Sequence, residues 1–407
     1  MVTKQLREMF DRIAPAFEKG GPLEKLYPLY ELVDTGAFTP GHKTRTASHV
    51  RDSLDMKRMM ISVVVALVPL LVIAIYNTGY QANYAISQGA EPLTDWHTIL
   101  FTTFGGRFDP NQALSCWLLG ALYYIPILTV TFAVGGLIEA VSAVIRREDV
   151  NEGFLVTAML IPLTLPPTIP LWQVGLGTAF GVLIGKEVFG GTGMNFLNPA
   201  LVARAFLFFA YPQNLSGTEP WIAADFIGVD SFSGATWLSQ AASDPHVLEG
   251  LDWWQAFIGW IPGSMGETSA LACLLGGVFI CVIGVASWRT IAGVTLGTFG
   301  MAAFLNWVGS DTNAMFAVPF SWHIVLGGWA LGTVYMTTDP VSSSYTDTGR
   351  WIYGFCIGVL TILIRSINPA YPEGIMLAIL FMNMFAPLID YFILQSNIRR
   401  RIARDAA

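Results

Sequence analysis

Ten runs of predominantly apolar residues, separated by shorter polar intervals, occupy the chain from residue 59 to residue 394. Their approximate bounds are 59–76, 115–145, 153–170, 171–189, 199–212, 267–287, 290–308, 322–338, 351–368 and 375–394. An apolar helix of about 17–25 residues crosses roughly 30 Å of hydrocarbon. The pattern therefore predicts an all-α integral membrane protein with about ten transmembrane helices. Pro126 and Gly135-Gly136 interrupt the second run, Pro166-Pro167 and Pro170 lie where the third meets the fourth, and the fifth is short. Such breaks are tolerated in a membrane only where neighbouring protein satisfies the freed backbone groups, so broken or re-entrant segments are expected. The chain divides accordingly into a tail at 1–58, a transmembrane domain at 59–394 with its longest polar interval at 213–266, and a basic tail at 395–407.

Composition agrees with a bilayer setting. Of 407 residues, 53% are hydrophobic and only 13% charged, against about 25% charged in a soluble domain; mean hydropathy is +0.53. The lipid bilayer is the expected surrounding, and nothing in the charge pattern calls for nucleic acid. Cys116, Cys273, Cys281 and Cys356 all fall in apolar runs without metal-ligand spacing, so no metal site is expected.

The sign of the charges gives a direction. The first tail carries ten Lys and Arg and ends in Arg51, Lys57 and Arg58 directly before the first run, which marks the cytoplasmic side. Ten crossings from there place Arg146, Arg147, Lys186, Arg204, Arg289, Arg350 and the terminal Arg399-Arg400-Arg401 inside. Both termini are then cytoplasmic and 213–266 faces outward. Arg107 and Arg365 fall toward the outside, with Arg365 near enough to a helix end to snorkel. His323 beside Trp322 reads as interfacial, within an outer aromatic belt that includes Trp253, Trp254, Trp260 and Trp307.

Three kinds of polar residue are candidates for chemistry. Glu139, Asp339 and Asp390 lie in or beside the spans; they are either solvated helix-end carboxylates or hard oxygen ligands for a monovalent cation. Spacing alone leaves both readings open. The stretch from Lys186 to Pro199 breaks a membrane region with glycines and amides. Without a P-loop lysine it is a poor phosphate site, and it reads better as a re-entrant turn whose Asn195 and Asn198 face a polar heteroaromatic ring. Phe206, Phe208 and Phe209 follow as an aromatic stripe. Finally, Asp230-Ser231-Phe232-Ser233-Gly234-Ala235-Thr236 is by composition a Ser/Gly turn. It also resembles the D-x-x-S-G-A-T signature recognised by the periplasmic flavin transferases, which join FMN to the last threonine through a phosphoester. That motif comprises Asp230, Ser233, Gly234, Ala235 and Thr236.

Over nearly its whole length the sequence resembles the family of B subunits of the bacterial Na+-translocating NADH:quinone reductase. The matching stretches include Ser48 to Ser53, Val150 to Phe154, Lys186 to Arg204, Ser233 to Thr236, Gly309 to Phe316 and Asn368 to Gly374. The resemblance implies a urea-channel-like bundle in a six-subunit complex of the cell inner membrane. Five other subunits would be partners, above all the FMN-bearing C subunit, and a periplasmic flavin transferase would mature the chain. It implies covalent FMN on Thr236 and non-covalent riboflavin near Asn195 and Asn198. Ubiquinone would be reduced near Gly135, Gly136 and Glu139, with Phe206 and Phe208 also involved. Asp339 and Asp390 would handle Na+; no residue is singled out as catalytic. The alternatives are the corresponding subunit of the ferredoxin:NAD+ reductase complex, against which the 58-residue tail argues, and a redox-inactive channel-like scaffold, against which the flavinylation motif argues.

Overall fold

The computed structural model describes residues 2–17, 21–28, 30, 34, 56–147, 153–226, 234–367 and 374–405. Among them no β-strand occurs, only one isolated antiparallel bridge between Glu91 and Asp225. The principal helices are α1 (Val2–Phe17), α2 (Met56–Ser87), α3 (Trp96–Thr103), α4 (Ala113–Arg146), α5 (Gly153–Leu163), α6 (Leu171–Gly185) and α7 (Pro199–Ala210). They continue with α8 (Trp237–Ser243), α9 (Trp253–Ile258), α10 (Ala270–Ile283), α11 (Trp288–Val308), α12 (Asp347–Ile367) and α13 (Ile375–Asp405).

Five helices are long and apolar enough to cross a membrane: α2, α4, α11, α12 and α13. The longest, α4, has 34 residues and spans about 50 Å at 1.5 Å per residue. Apolar side chains stand exposed along these helices, Leu137, Ile145 and Phe304 among them, well beyond what a water-soluble surface carries. The other five apolar runs hold shorter pieces. Helices α5, α7 and α10 have 11, 12 and 14 residues, and the eighth run is broken into Phe320–His323, Trp329–Leu331 and a π-helical turn Gly332–Met336. The amphipathic α1 lies in a tail whose sequence showed no spanning run; Tyr30 folds back onto it, stacking on Phe17 with ring centroids 5.1 Å apart.

Glycines set the closest helix contacts. On α6, Gly177, Gly181 and Gly185 recur every fourth residue, and a Cβ on any of them would press into Leu207, Ala203 or Val202 of α7. Helices α11 and α12 meet the same way through Gly293, Gly297, Gly354 and Gly358, each lying against main chain of the facing helix. Small residues let backbones approach where lipid supplies no hydrophobic drive between helices.

The unwound stretches meet in the interior, where two buried arginines tie them down. Gly266 N–H donates to Leu163 O at 2.7 Å and Met265 N–H to Leu165 O at 3.1 Å, joining the end of α5 to the segment before α10. Arg204 of α7 is 2% exposed, donates to Thr164 O and pairs with Glu267 at 2.5 Å. Arg365 of α12 donates to His323 O and Leu326 O, both at 2.8 Å, holding the broken eighth run. Two expectations are corrected here. Arg365 is fully buried rather than snorkelling, and His323 is buried at its side rather than interfacial. Arg204 and Lys186 also lose their value as topological markers, because each is consumed in a buried ion pair.

Candidate functional site

Two polar regions stand out, one at Thr236 and one around Lys186. Asp230 and Ser233 lie outside the described residues, so the motif is visible from Gly234 onward. Gly234 is buried where a Cβ would collide with Thr218 O and crowd the Phe226 ring; only glycine permits that approach. Gln240 Nε2 donates to Ala235 O at 2.8 Å, and Thr236 then caps α8, its Oγ1 accepting from Ser239 N–H at 3.2 Å. The hydroxyl thus serves as an acceptor, while its proton, the atom lost on esterification, has no acceptor among the described residues. Gly234 also lines a cavity of about 820 Å³ with Asp95, His97, Tyr123, Asn214 and Phe226, a volume within the range of small-molecule sites.

The wall of this cavity is ordered by Asp95. Its carboxylate caps α3 through Thr98 N–H at 2.9 Å, and accepts from Tyr123 Oη at 3.0 Å while lying 2.7 Å from His97 Nδ1. Burial alone would raise the Asp95 carboxyl, but the bonds from His97 and Thr98 outweigh it and hold the group below its ordinary value. The His97 ring in turn stacks on Tyr123 with centroids 4.2 Å apart. Sequence reasoning did not single out Asp95, His97 or Tyr123; the i,i+2 pairing of Asp95 with His97 was the available signal.

The second region gathers candidates scattered over 200 positions of sequence. Glu139 of α4 forms a buried ion pair with Lys186 at the end of α6. One residue on, Glu187 pairs with Arg146 of α4 at 2.7 Å. Lys186 also lines a cavity of about 60 Å³ together with Thr192, Asn195, Asn198, Tyr335 and Asp339. The glycine turn and Asp339 therefore share one cavity, walled on its other sides by apolar residues such as Val63, Leu160 and Ile280, and Glu139 reaches its edge through Lys186. Its volume suits a few waters or a small cation and leaves no room for a flavin ring. The amides are likewise engaged: Asn195 Nδ2 donates to Leu197 O at 2.8 Å, and Asn198 Oδ1 caps α7 through Ala200 N–H at 3.0 Å.

Gly135 is buried against the Phe154 ring, with Thr178 of α6 beside it, and Gly136 faces the edge of the same ring. The notch at this glycine pair, near which the resemblance implies that ubiquinone is reduced, is thus filled by Phe154 here. Phe206 of α7 stacks on Phe180 of α6, ring centroids 4.4 Å apart, while Phe208 packs against Phe209 and the main core. Asp390 is not brought to the cavity. It accepts from Ser344 Oγ, Tyr345 N–H, Thr346 N–H and Thr346 Oγ1 at 2.7, 2.8, 3.0 and 2.6 Å. Asp339 accepts from Val341 N–H at 3.2 Å and Ser342 Oγ at 2.6 Å. The two carboxylates therefore brace the 339–346 loop from its two ends.

A family model described as "NQR2, RnfD, RnfE family" matches residues 43–399. The chain is 53% identical over 406 residues to the B subunit of the Na(+)-translocating NADH-quinone reductase of Pseudomonas paraeruginosa, covering 98% of this chain and 99% of that one. To the protein of the same name from Pseudoalteromonas atlantica it is 54% identical over 404 residues, with 98% and 99% covered. For Chromohalobacter salexigens the identity is 52% over 404 residues, with 99% and 97% covered.

Proposed function

The chain belongs to the NQR2, RnfD, RnfE family, and on that basis we propose that it is the membrane subunit through which a Na+-translocating NADH:quinone reductase passes electrons to ubiquinone and couples them to Na+ export. Near-full-length identity to relatives named as the B subunit of that enzyme supports this reading over the ferredoxin-linked counterpart. In the proposed setting the chain crosses the bacterial inner membrane ten times in a urea-channel-like bundle with both termini cytoplasmic. It assembles with five other subunits, including the FMN-bearing C subunit, and a periplasmic flavin transferase modifies it.

Thr236 is the proposed attachment point for FMN, which when bound supplies one-electron and two-electron redox chemistry. The observation that carries this is the half-buried Thr236 hydroxyl, committed only as an acceptor and two residues from a cavity of about 820 Å³. Gly234 gives the close approach, and Asp95, His97 and Tyr123 form a polar wall. At the other region, Gly135, Gly136 and Glu139 are the proposed quinone contacts, with Phe154 as the ring that yields to a headgroup and Phe206 and Phe208 behind it. Glu139 orients the ammonium of Lys186. Asp339 is the proposed sodium-handling carboxylate, because it lines a cavity of cation size. Asp390 contributes by holding the loop on which Asp339 sits. Riboflavin near Asn195 and Asn198 would require that cavity to widen, so no electron step passes through it here.

The test is a Thr236→Ala variant of the assembled complex. Flavin fluorescence should vanish from this subunit on a denaturing gel, and quinone reduction should collapse while NADH oxidation at the entry subunit continues. Persistence of the fluorescent band would overturn the attachment.

A further inference from the structure

Among the described residues lining the 60 Å³ cavity, Lys186 is the one cationic side chain and Asp339 the one carboxylate. Their charges are not balanced against each other. Lys186 is held by Glu139 across to α4, and the next residue, Glu187, is matched by Arg146 of the same helix. Asp339 has two hydrogen-bond donors from its own loop and, among the described residues, no ion-pair partner. A lysine ammonium is a compact point charge on a flexible four-carbon stem with three rotatable donors. The stem starts where α6 gives way to a 3₁₀ turn at Glu187–Phe189, its backbone fixed by bonds to Val182, Phe189 and Gly191, so any movement of the ammonium lies in the side chain.

We propose that Lys186 is a positioning residue that competes, as a tethered cation, with the transported sodium ion for the Asp339 side of this cavity. Held by Glu139, the ammonium leaves Asp339 short of positive charge, and the cavity accepts a monovalent cation. Released from Glu139 and turned inward, it takes the cation's place. No covalent bond is made or broken. The exchange links the carboxylate assigned to quinone with the one assigned to sodium through one side chain with two positions, which is what coupling between sites requires. The inference rests on the reading of Asp339 as the sodium-handling residue.

The experiment uses the assembled complex, with sodium dependence read in two ways: quinone reductase activity against sodium concentration, and thermal stabilisation by added sodium, which reports binding without turnover. Removing a unit charge that faces the same cavity should tighten sodium binding on the order of tenfold. Lys186→Gln should therefore reach half-maximal effect at about tenfold lower sodium in both readouts, whereas Lys186→Arg should stay near the parent value. Because Lys186→Gln strands Glu139, the pair Glu139→Gln with Lys186→Gln is measured alongside it and should show the same tightening in the stability readout. Asp339→Asn distinguishes the sodium role of Asp339 from the competitor role of Lys186. If it raises the sodium requirement while the Lys186 variants leave it unchanged, the competitor role is overturned and the sodium role of Asp339 survives. If Asp339→Asn shifts nothing, the sodium reading itself fails. Failure of both Lys186→Gln and the double variant to assemble would make the pair purely structural and would equally overturn the proposal.

Discussion

Replacing Asp390 by Asn separates a structural carboxylate from a transport ligand. Its Oδ1 accepts three bonds, from Ser344 Oγ, Thr346 N–H and Thr346 Oγ1, and Oδ2 accepts one, from Tyr345 N–H. An Asn side chain that keeps its oxygen on the three-bond side turns an NH2 toward the Tyr345 N–H, setting donor against donor. That N–H is then unsatisfied, which costs about 1–3 kcal/mol. The three remaining bonds lose their ionised acceptor, and charge-assisted bonds are roughly twice as strong as neutral ones. Losing part of that advantage brings the expected destabilisation to about 2–4 kcal/mol, centred on the 339–346 loop. Thermal inactivation of the detergent-solubilised complex should shift to lower temperature by the same amount at every sodium concentration. A sodium requirement raised without any loss of thermal stability would refute this reasoning and return Asp390 to the cation path.

Two further outcomes follow from the packing. Gly135→Leu forces its side chain into the Phe154 ring; overpacking of this kind costs about 1–3 kcal/mol, and the apparent KM for quinone should rise with NADH oxidation at the entry flavin intact, so unchanged quinone kinetics and inhibitor sensitivity would remove the site from this notch. Arg204→Met takes the cation out of the buried pair with Glu267 at a cost of about 3–5 kcal/mol and should abolish assembly, while adding Glu267→Gln should restore part of it, as yield of assembled complex will report.

Much of the fold was legible because hydrocarbon imposes a length. The runs at 59–76, 115–145, 290–308, 351–368 and 375–394 each fall within or overlap a long apolar helix. The shortfall lies in the broken runs: the prolines of 164–170 marked one break, but in the eighth run apolar composition continues through 324–328, where the helix does not. What holds those breaks is long-range. Arg204 reaches Thr164 and Glu267, and Arg365 reaches His323 and Leu326, partners 39 to 63 positions away that leave no periodic trace. The same is true of the site. Thr236 could be picked out from a local motif, but the meeting of Glu139 with Lys186, and of Asp339 with the glycine turn, depends on how α4, α6 and the broken eighth run pack.

Mass spectrometry of the proteolytic peptide containing Thr236, from the chain matured with its flavin transferase, reads the flavin attachment itself. The peptide should be heavier by FMN less one water, with fragmentation placing the phosphoester on Thr236 Oγ1. An unmodified peptide from a flavin-replete complex, or FMN on Ser233 or Ser239 instead, would contradict it.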